Sequence, residues 1–277
     1  MSTSIEIICI GTELLIGKTL NTNALWLAKR ITSLGLNIRR ITTVHDEISE
    51  ISQTIQETLH RKPVFIITCG GLGPTFDDKT LEGIARALGR QTEINKDALK
   101  MIEEKYERYL KEGIIEKTEL TPPRIKMAKL PEGAKPLFNP VGTAPGVIIK
   151  QADTTIIALP GVPAEMMAIF EDSVVPLLKA AAGDKIFFET SLDVREVMES
   201  DIAPLIDRVM HDNPYIYVKS HPSHTGEKVP RLELHLSTTA ENSNTAKNRV
   251  SRALIQLSEL IKQKGGKIKG LKAKPIS

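Results

Sequence analysis

A chain of 277 residues, 41% hydrophobic and 26% charged, is long enough to bury a sizeable core and is expected to form one larger and one smaller domain. Its longest apolar runs, such as residues 5–10 and 64–68, are strand-length and far below the roughly 18 residues that suggest a membrane span. No signal peptide is visible and two cysteines, Cys9 and Cys69, are too few for a disulfide framework, so a cytoplasmic protein with no membrane contact is expected; the net charge of +3 leans only weakly toward acidic ligands.

Residues 5–10 read as a buried strand ending at Gly11. Leu20, Ala24, Leu27, Ile31 and Leu34 then fall on one stripe of a helix, with Gly35 as its C-terminal cap. A strand over 36–44, a helix marked by Ile48, Ile51, Ile55 and Leu59, and a strand over 64–68 follow. That third strand runs into TCGGLGPTFDDKT, after which Leu81, Ile84, Ala85 and Leu88 make a helical face closed by Gly89. A mostly polar helix is expected from Asn95 to Lys111, lying over the surface. Such alternation predicts a parallel sheet covered by helices.

Between 121 and 161 closely spaced prolines separate short strands and loops, with a hairpin across Gln151 to Thr154. Pro163 suits the first turn of a helix with apolar positions Met166, Ile169, Phe170, Val174 and Leu177, which Pro176 should bend or end. Small residues at 181–183 mark a boundary. Beyond it, a strand over 187–194, a helix carrying Ile202, Leu205, Ile206, Val209 and Met210, strands over 215–218 and 232–236, and a last helix with Val250, Leu254, Leu257 and Ile261 outline a small β-α-β-β-α sandwich. The domains expected are therefore 1–182 and 183–264, followed by a lysine-rich, solvated tail over 265–277.

The first strand ends in Gly11-Thr12-Glu13 and the third in Gly70-Gly71-Leu72-Gly73. In open α/β sheets ligands sit outside the carboxyl ends of the strands, so both loops are expected at one crevice. Neither is a P-loop or a dinucleotide fingerprint. Glycine turns of this kind attract phosphate through their N–H groups, yet Asp77 and Asp78 stand beside this one. Two carboxylates about 4 Å apart repel by up to a few kcal/mol at an effective dielectric near 20. A divalent cation removes that cost, and Mg²⁺ is commonly held by one or two carboxylates plus substrate phosphates. The structural alternative is that Thr75 and Asp78 form a capping box and the acids complement a helix dipole.

Further candidates gather at the same ends. Glu13, Asn21 and Asn23 follow the first strand, one Asn being a natural helix cap. Asp46 follows the second, where it too is a candidate cap. NPVGTAPG, residues 139–146, packs turn formers around Thr143, and Glu165 sits in a helix's first turn, where dipole complementarity alone accounts for an acid. His221 and His224 have ligand-like spacing, but with no Cys or further His nearby they read as solvated rather than metal-bound.

Together GTELLIGKTLNTN, GGLGPTFDDKT, NPVGTAPG and LPGVPAEM, in that order over about residues 5–180, resemble the amino-terminal domain of the CinA family, within the wider molybdopterin-binding MoaB/MogA-like superfamily. The resemblance implies an α/β fold, a three-layer α/β/α domain with a mostly parallel sheet, joined by a second, smaller α+β domain. It places Cys9 and Cys69 on neighbouring strands, both read as buried small hydrophobes; Cys69 stands where the family usually has Thr or another small residue. CinA-like domains look like metal-dependent pyrophosphatases for ADP-ribose and similar dinucleotides. MogA-like relatives bind molybdopterin and adenylylate it, using aspartates that match Asp78 and Asp46.

Carried onto this chain, the resemblance implies a nucleotide-binding hydrolase with Asp78, Asp46 and Glu13 as catalytic candidates and Asp77 and Asp78 holding Mg²⁺, Mn²⁺ or Co²⁺. Gly11, Thr12, Asn21, Asn23, Gly70, Gly71, Gly73, Thr75, Thr80, Asn139, Gly142, Thr143, Gly161 and Glu165 are the substrate-binding candidates. The partner expected is a small nucleotide diphosphate or a pterin, so a molybdopterin-binding or adenylylating protein is the rival reading. Longer CinA proteins carry a nicotinamide mononucleotide deamidase domain, which this chain is expected to lack. The second domain resembles their KH-like module. A nucleic-acid-binding KH domain needs a Gly-x-x-Gly loop, and SHTGEKVP has no second glycine, so a scaffold or homodimer contact is expected there ahead of nucleic-acid binding.

Overall fold

The computed structural model describes residues 4–222 and 229–274; His224 lies outside them. A first compact unit takes the chain up to residue 28 together with 37–181, and a second takes 29–36 with the chain from 182 on. The first half runs β1 (Ser4–Ile10), α1 (Thr12–Leu15), α2 (Thr22–Ser33), β2 (Asn37–Val44), α3 (Ile48–His60), β3 (Phe65–Cys69) and α4 (Thr80–Leu88). There follow β4 (Thr92–Ile94), α5 (Lys96–Lys111), α6 (Pro122–Lys126), β5 (Lys129–Pro131), β6 (Lys135–Leu137), β7 (Gly146–Gln151), β8 (Thr154–Leu159) and α7 (Pro163–Ile169). A π-helical turn (Phe170–Val174) leads into α8 (Val175–Ala182).

The main sheet has the order β2-β1-β3-β8-β7-β6. β2, β1, β3 and β8 are parallel, and the β8–β7 hairpin and β6 add antiparallel strands at one edge. Every residue of β1 and β3 is buried, as central strands covered on both faces require. Ile8 and Ile10 of β1 share a core with Ile51 and Ile55 of α3, Ile84 of α4, and Ala98 and Ile102 of α5. The alternate side chains face the opposite layer, where Trp26 of α2 meets Phe170 edge-on at 5.4 Å.

Local chemistry explains most boundaries. Asn21 accepts a hydrogen bond from the Ala24 N–H at 3.0 Å and so caps α2, which leaves Leu20 outside the helix and 83% exposed rather than on its apolar stripe. Gly89 takes the left-handed conformation that closes α4. Pro176 does not end its helix. The wide π turn before it shifts the register by one residue, because a proline cannot supply the N–H that an unbroken α-helix needs there; Leu178 is buried in consequence and Leu177 is 38% exposed.

Past α8 come β9 (Ile186–Arg195), α9 (Glu199–Asp212), β10 (Tyr217–Pro222), β11 (Arg231–Ala240), α10 (Ser243–Gln263) and β12 (Lys267–Lys274). They form an antiparallel sheet of order β10-β11-β9-β12. Leu192, Val194, Leu234 and Leu236 pack there on Ile202 and Val209 of α9 and on Val250 and Leu257 of α10. The lysine-rich stretch corrects the sequence reading: instead of a solvated tail it pairs with β9, Lys267 opposite Arg195. The ladder is made by main-chain groups, so lysine side chains do not prevent pairing and suit an edge strand. Among the described residues no helix is long and apolar enough to cross a membrane.

Candidate functional site

β1 and β3 end side by side, and the loops after them open onto a cleft of about 430 Å³. Glu13, Asn21, Asn23 and Asp46 line one part of it; Gly70, Gly71, Gly73, Asp77 and Asp78 line another; Thr143, Gly161 and Glu165 complete the wall. Gly11, Thr12, Thr75, Thr80, Asn139 and Gly142 do not line it. Thr12, Thr75, Thr80 and Asn139 are instead hydrogen-bonded to residues that do line it.

Asp46 does not cap α3, whose start at Glu47 has no side-chain cap. Its Oδ2 accepts from the Thr12 N–H at 2.7 Å instead, which pins the beginning of the first loop from 34 residues away. The Thr12 hydroxyl lies 3.3 Å from His45 Nδ1, and the Glu13 carboxylate folds back over Gly11. Asn23 donates through Nδ2 to Gly161 O at 2.7 Å and to Cys69 Sγ at 3.2 Å, tying the start of α2 to the end of β3 and to the loop after β8.

In the glycine loop, the Gly70 N–H donates to Leu159 O at 3.0 Å and the buried Thr80 hydroxyl donates to Gly70 O at 2.7 Å. Gly70 is thus occupied by the sheet and has no N–H to offer a ligand, contrary to the sequence reading. The N–H groups of Gly71 and Gly73 make no such bond among the described residues. Asp77 and Asp78 lie in a tight turn ahead of α4, not in its first turn. The Asp78 N–H donates to Thr75 O at 3.2 Å, while Asp78 Oδ2 accepts from the Thr75 N–H at 2.8 Å and sits 2.5 Å from the Thr75 hydroxyl. That hydroxyl also contacts Asp77 Oδ1, and Lys126 Nζ reaches Thr75 O. The Thr75 hydroxyl foremost, then the residue's own N–H, with Lys126 and Lys79 nearby, hold the Asp77 carboxyl below its ordinary range. The acid pair is therefore partly compensated by the protein itself. Among the described residues no three His, Cys, Asp or Glu side chains converge to hold a metal.

The 139–146 loop is built around buried Asn139. Its Oδ1 accepts from the N–H groups of Val141 at 3.0 Å and Gly142 at 2.8 Å, and its Nδ2 donates to Ala144 O at 2.8 Å and to Glu165 Oε2 at 2.7 Å. Glu165 packs so closely on Gly142 that a Cβ there would fall 2.0 Å from the carboxylate. Two residues absent from the sequence reading support this loop: Lys105, 6% exposed, donates from Nζ to Pro140 O at 2.9 Å, and the Tyr109 hydroxyl donates to Val141 O at 3.3 Å. Burial, the larger influence, pushes the Lys105 ammonium below its ordinary range. Both sit on α5 in line with buried Ala98 and Ile102, a helical spacing that was the available signal.

Cys9 and Cys69 face each other in register across β1 and β3, both free and buried. Burial pushes the Cys69 thiol up to about 12, with Cys9 adding to the effect and Asn23 opposing it; burial also raises Cys9. A thiol whose folded value exceeds its unfolded one stabilises fully below the unfolded value, and that stability is lost as pH rises toward the folded one. In urea unfolding between pH 8 and pH 11, Cys69→Ala should lose stability less steeply than the wild type, by about 1.4 kcal/mol per pH unit above roughly pH 9. Parallel curves would show that the thiol titrates alike in both states.

The family described as "Probable molybdopterin binding domain" matches residues 6–180. A protein of Pyrobaculum arsenaticum is 46% identical over 260 residues, 94% of this chain and 95% of that protein. One of Sulfolobus acidocaldarius is 45% identical over 265 residues, 96% of each. A solved structure, described as the protein CinA with unknown function from Thermoplasma acidophilum, is 40% identical, covers 61% of this chain and 95% of that one, and superposes with a TM-score of 0.56.

Proposed function

The chain belongs to the probable molybdopterin-binding domain family, and from that premise we propose that its cleft hydrolyses the diphosphate of ADP-ribose or a related dinucleotide with a divalent cation bound. One arrangement supports this reading: the uncommitted N–H groups of Gly71 and Gly73 share a cleft wall with the carboxylates of Asp77 and Asp78. The N–H groups suit phosphate oxygens. The carboxylates fit a hard ion, since Asp78 accepts its bonds through Oδ2 and leaves Oδ1 to a ligand. Two protein carboxylates with phosphate oxygens completing the shell is a normal Mg²⁺ environment. Such an ion, when bound, neutralises phosphate charge and lowers the pKa of its water.

In this reading water adds to one phosphorus and the bridging P–O bond breaks, giving AMP and ribose 5-phosphate from ADP-ribose. Glu13 and Glu165 line the cleft, and in this reading they orient the water or a ribose hydroxyl. Asp46 acts by fixing the first loop through Thr12, since its Oδ2 is already engaged. A second reading, binding or adenylylation of a molybdopterin, is favoured by the family's own description. The two separate in one panel of ADP-ribose, FAD, NAD and molybdopterin, each with Mg²⁺, Mn²⁺ or Co²⁺ and products followed by chromatography. Release of AMP from ADP-ribose is the expected result. Retention of a fluorescent pterin with every dinucleotide left intact would establish the second reading instead.

A further inference from the structure

Two groups of the cleft wall take no part in the reading above, the thiols of Cys9 and Cys69. Both line the cleft, and they hold matching positions on the parallel neighbours β1 and β3, so their side chains leave the sheet on the same face. Neighbouring strands run about 4.7–4.9 Å apart. A metal–thiolate bond is roughly 2.3 Å long, so one ion held linearly between two sulfurs spans about 4.6 Å, the same reach. Each sulfur also has an amide from the N-terminal end of α2 against it. Asn23 Nδ2 donates to Cys69 Sγ at 3.2 Å. The Asn21 side chain bonds Cys9, and because its Oδ1 is taken by the Ala24 N–H, Nδ2 is the atom left to face that sulfur. A cysteine that packs only as a small hydrophobe needs no such donor. Donors of this kind favour a thiolate over a thiol and are the usual outer partners of metal-bound groups.

We propose that Cys9 and Cys69 form a two-coordinate site for a soft monovalent ion, Cu(I), on the wall of the cleft. Thiolates select soft ions. Zn²⁺ wants four ligands, and among the described residues no three His, Cys, Asp or Glu side chains converge; Cu(I) is satisfied by two sulfurs in line. As a thiol, Cys69 donates to Pro160 O at 3.4 Å. On binding, both S–H bonds break, two Cu–S bonds form and two protons pass to solvent, while copper stays Cu(I) and nothing is oxidised. Burial holds both thiols above their ordinary range, so both carry their protons at neutral pH and the release is two per ion. The site is independent of the diphosphate reading. Carboxylates such as Asp77 and Asp78 suit Mg²⁺ and thiolates suit Cu(I), so neither ion competes for the other's ligands.

The test is an anaerobic titration of the full chain with Cu(I) against a coloured Cu(I) chelator, in the wild type, Cys9→Ala and Cys69→Ala, with circular dichroism to check that each is folded. The wild type should take one ion per chain and release two protons per ion at pH 7. Its Kd should rise about 100-fold for each pH unit of acidification, ten-fold per proton displaced. Each alanine variant should bind at least about 100-fold more weakly, beyond what loss of an outer partner costs. Excess Mg²⁺ should displace no copper. X-ray absorption of the loaded wild type, which needs no variant to fold, should show two sulfur neighbours and no nitrogen or oxygen. A wild type that takes up no Cu(I), uptake unchanged in both variants, or release of a single proton would overturn the proposal. Three or more sulfur neighbours would do the same, because the ion would then sit on methionines or between chains.

Discussion

Asp78→Asn is expected to lower metal-stimulated hydrolysis of ADP-ribose by about 100-fold or more, the scale of removing one group that stabilises transition-state charge. The fold should survive. Asparagine keeps a carbonyl oxygen that can accept from the Thr75 N–H and hydroxyl in place of Asp78 Oδ2. The main-chain bond from residue 78 to Thr75 O does not depend on the side chain. The melting temperature should thus stay within about 3 °C, the shift that roughly 1 kcal/mol produces in a domain of this size. What the substitution removes is a negative charge facing the cleft. Turnover measured against Mg²⁺ concentration reads this directly. A variant as active as the wild type would mean that Asp78 serves only the turn, and a variant that melts far lower would make its role structural.

Gly70→Ala should have the largest effect on stability. A Cβ at this position would fall 2.2 Å from Ile10 O, and Gly70 has φ of +111°, a region that L side chains rarely enter. Ile10 O belongs to the main chain of β1, so no rotamer change relieves the clash; strand ends must separate. Gly70 is also bonded at both N–H and C=O, to Leu159 and Thr80, so any shift disturbs β8 and the start of α4 together. The expected cost is about 3 kcal/mol or more, typical of combined strain and overpacking. Urea unfolding would show it as a lower midpoint at unchanged slope. A loss under about 1 kcal/mol would mean that the β1 and β3 ends yield more easily than a packed sheet should.

Both experiments act on a loop whose glycines and acids are plain in the sequence but whose bonding is not. GGLGPTFDDKT announces an anion-attracting turn beside two carboxylates. Only the register of β3 against β8 shows that Gly70 spends its N–H on Leu159 while Gly71 and Gly73 do not. Similarly, the polar pattern of residues 95–111 reads as a surface helix, and only the placing of α5 beside the 139–146 loop turns Lys105 and Tyr109 into its supports.

What the sequence alone determined is the succession of the principal strands and helices in the first 180 residues, a cap for the second helix at one of Asn21 and Asn23, the Gly89 cap, and the loops gathered at the strand ends; the structure chose Asn21. These follow from side-chain periodicity and backbone preference, forces that act over a few residues. Tertiary structure alone decided that Asp46 holds Thr12, that a π turn carries the chain past Pro176, and that the lysine-rich stretch becomes β12. Each is a main-chain or side-chain hydrogen-bonding requirement met by a partner far along the chain, or by a helix that must keep its face on the core. Such partners exist only once the sheet has set which segments are neighbours.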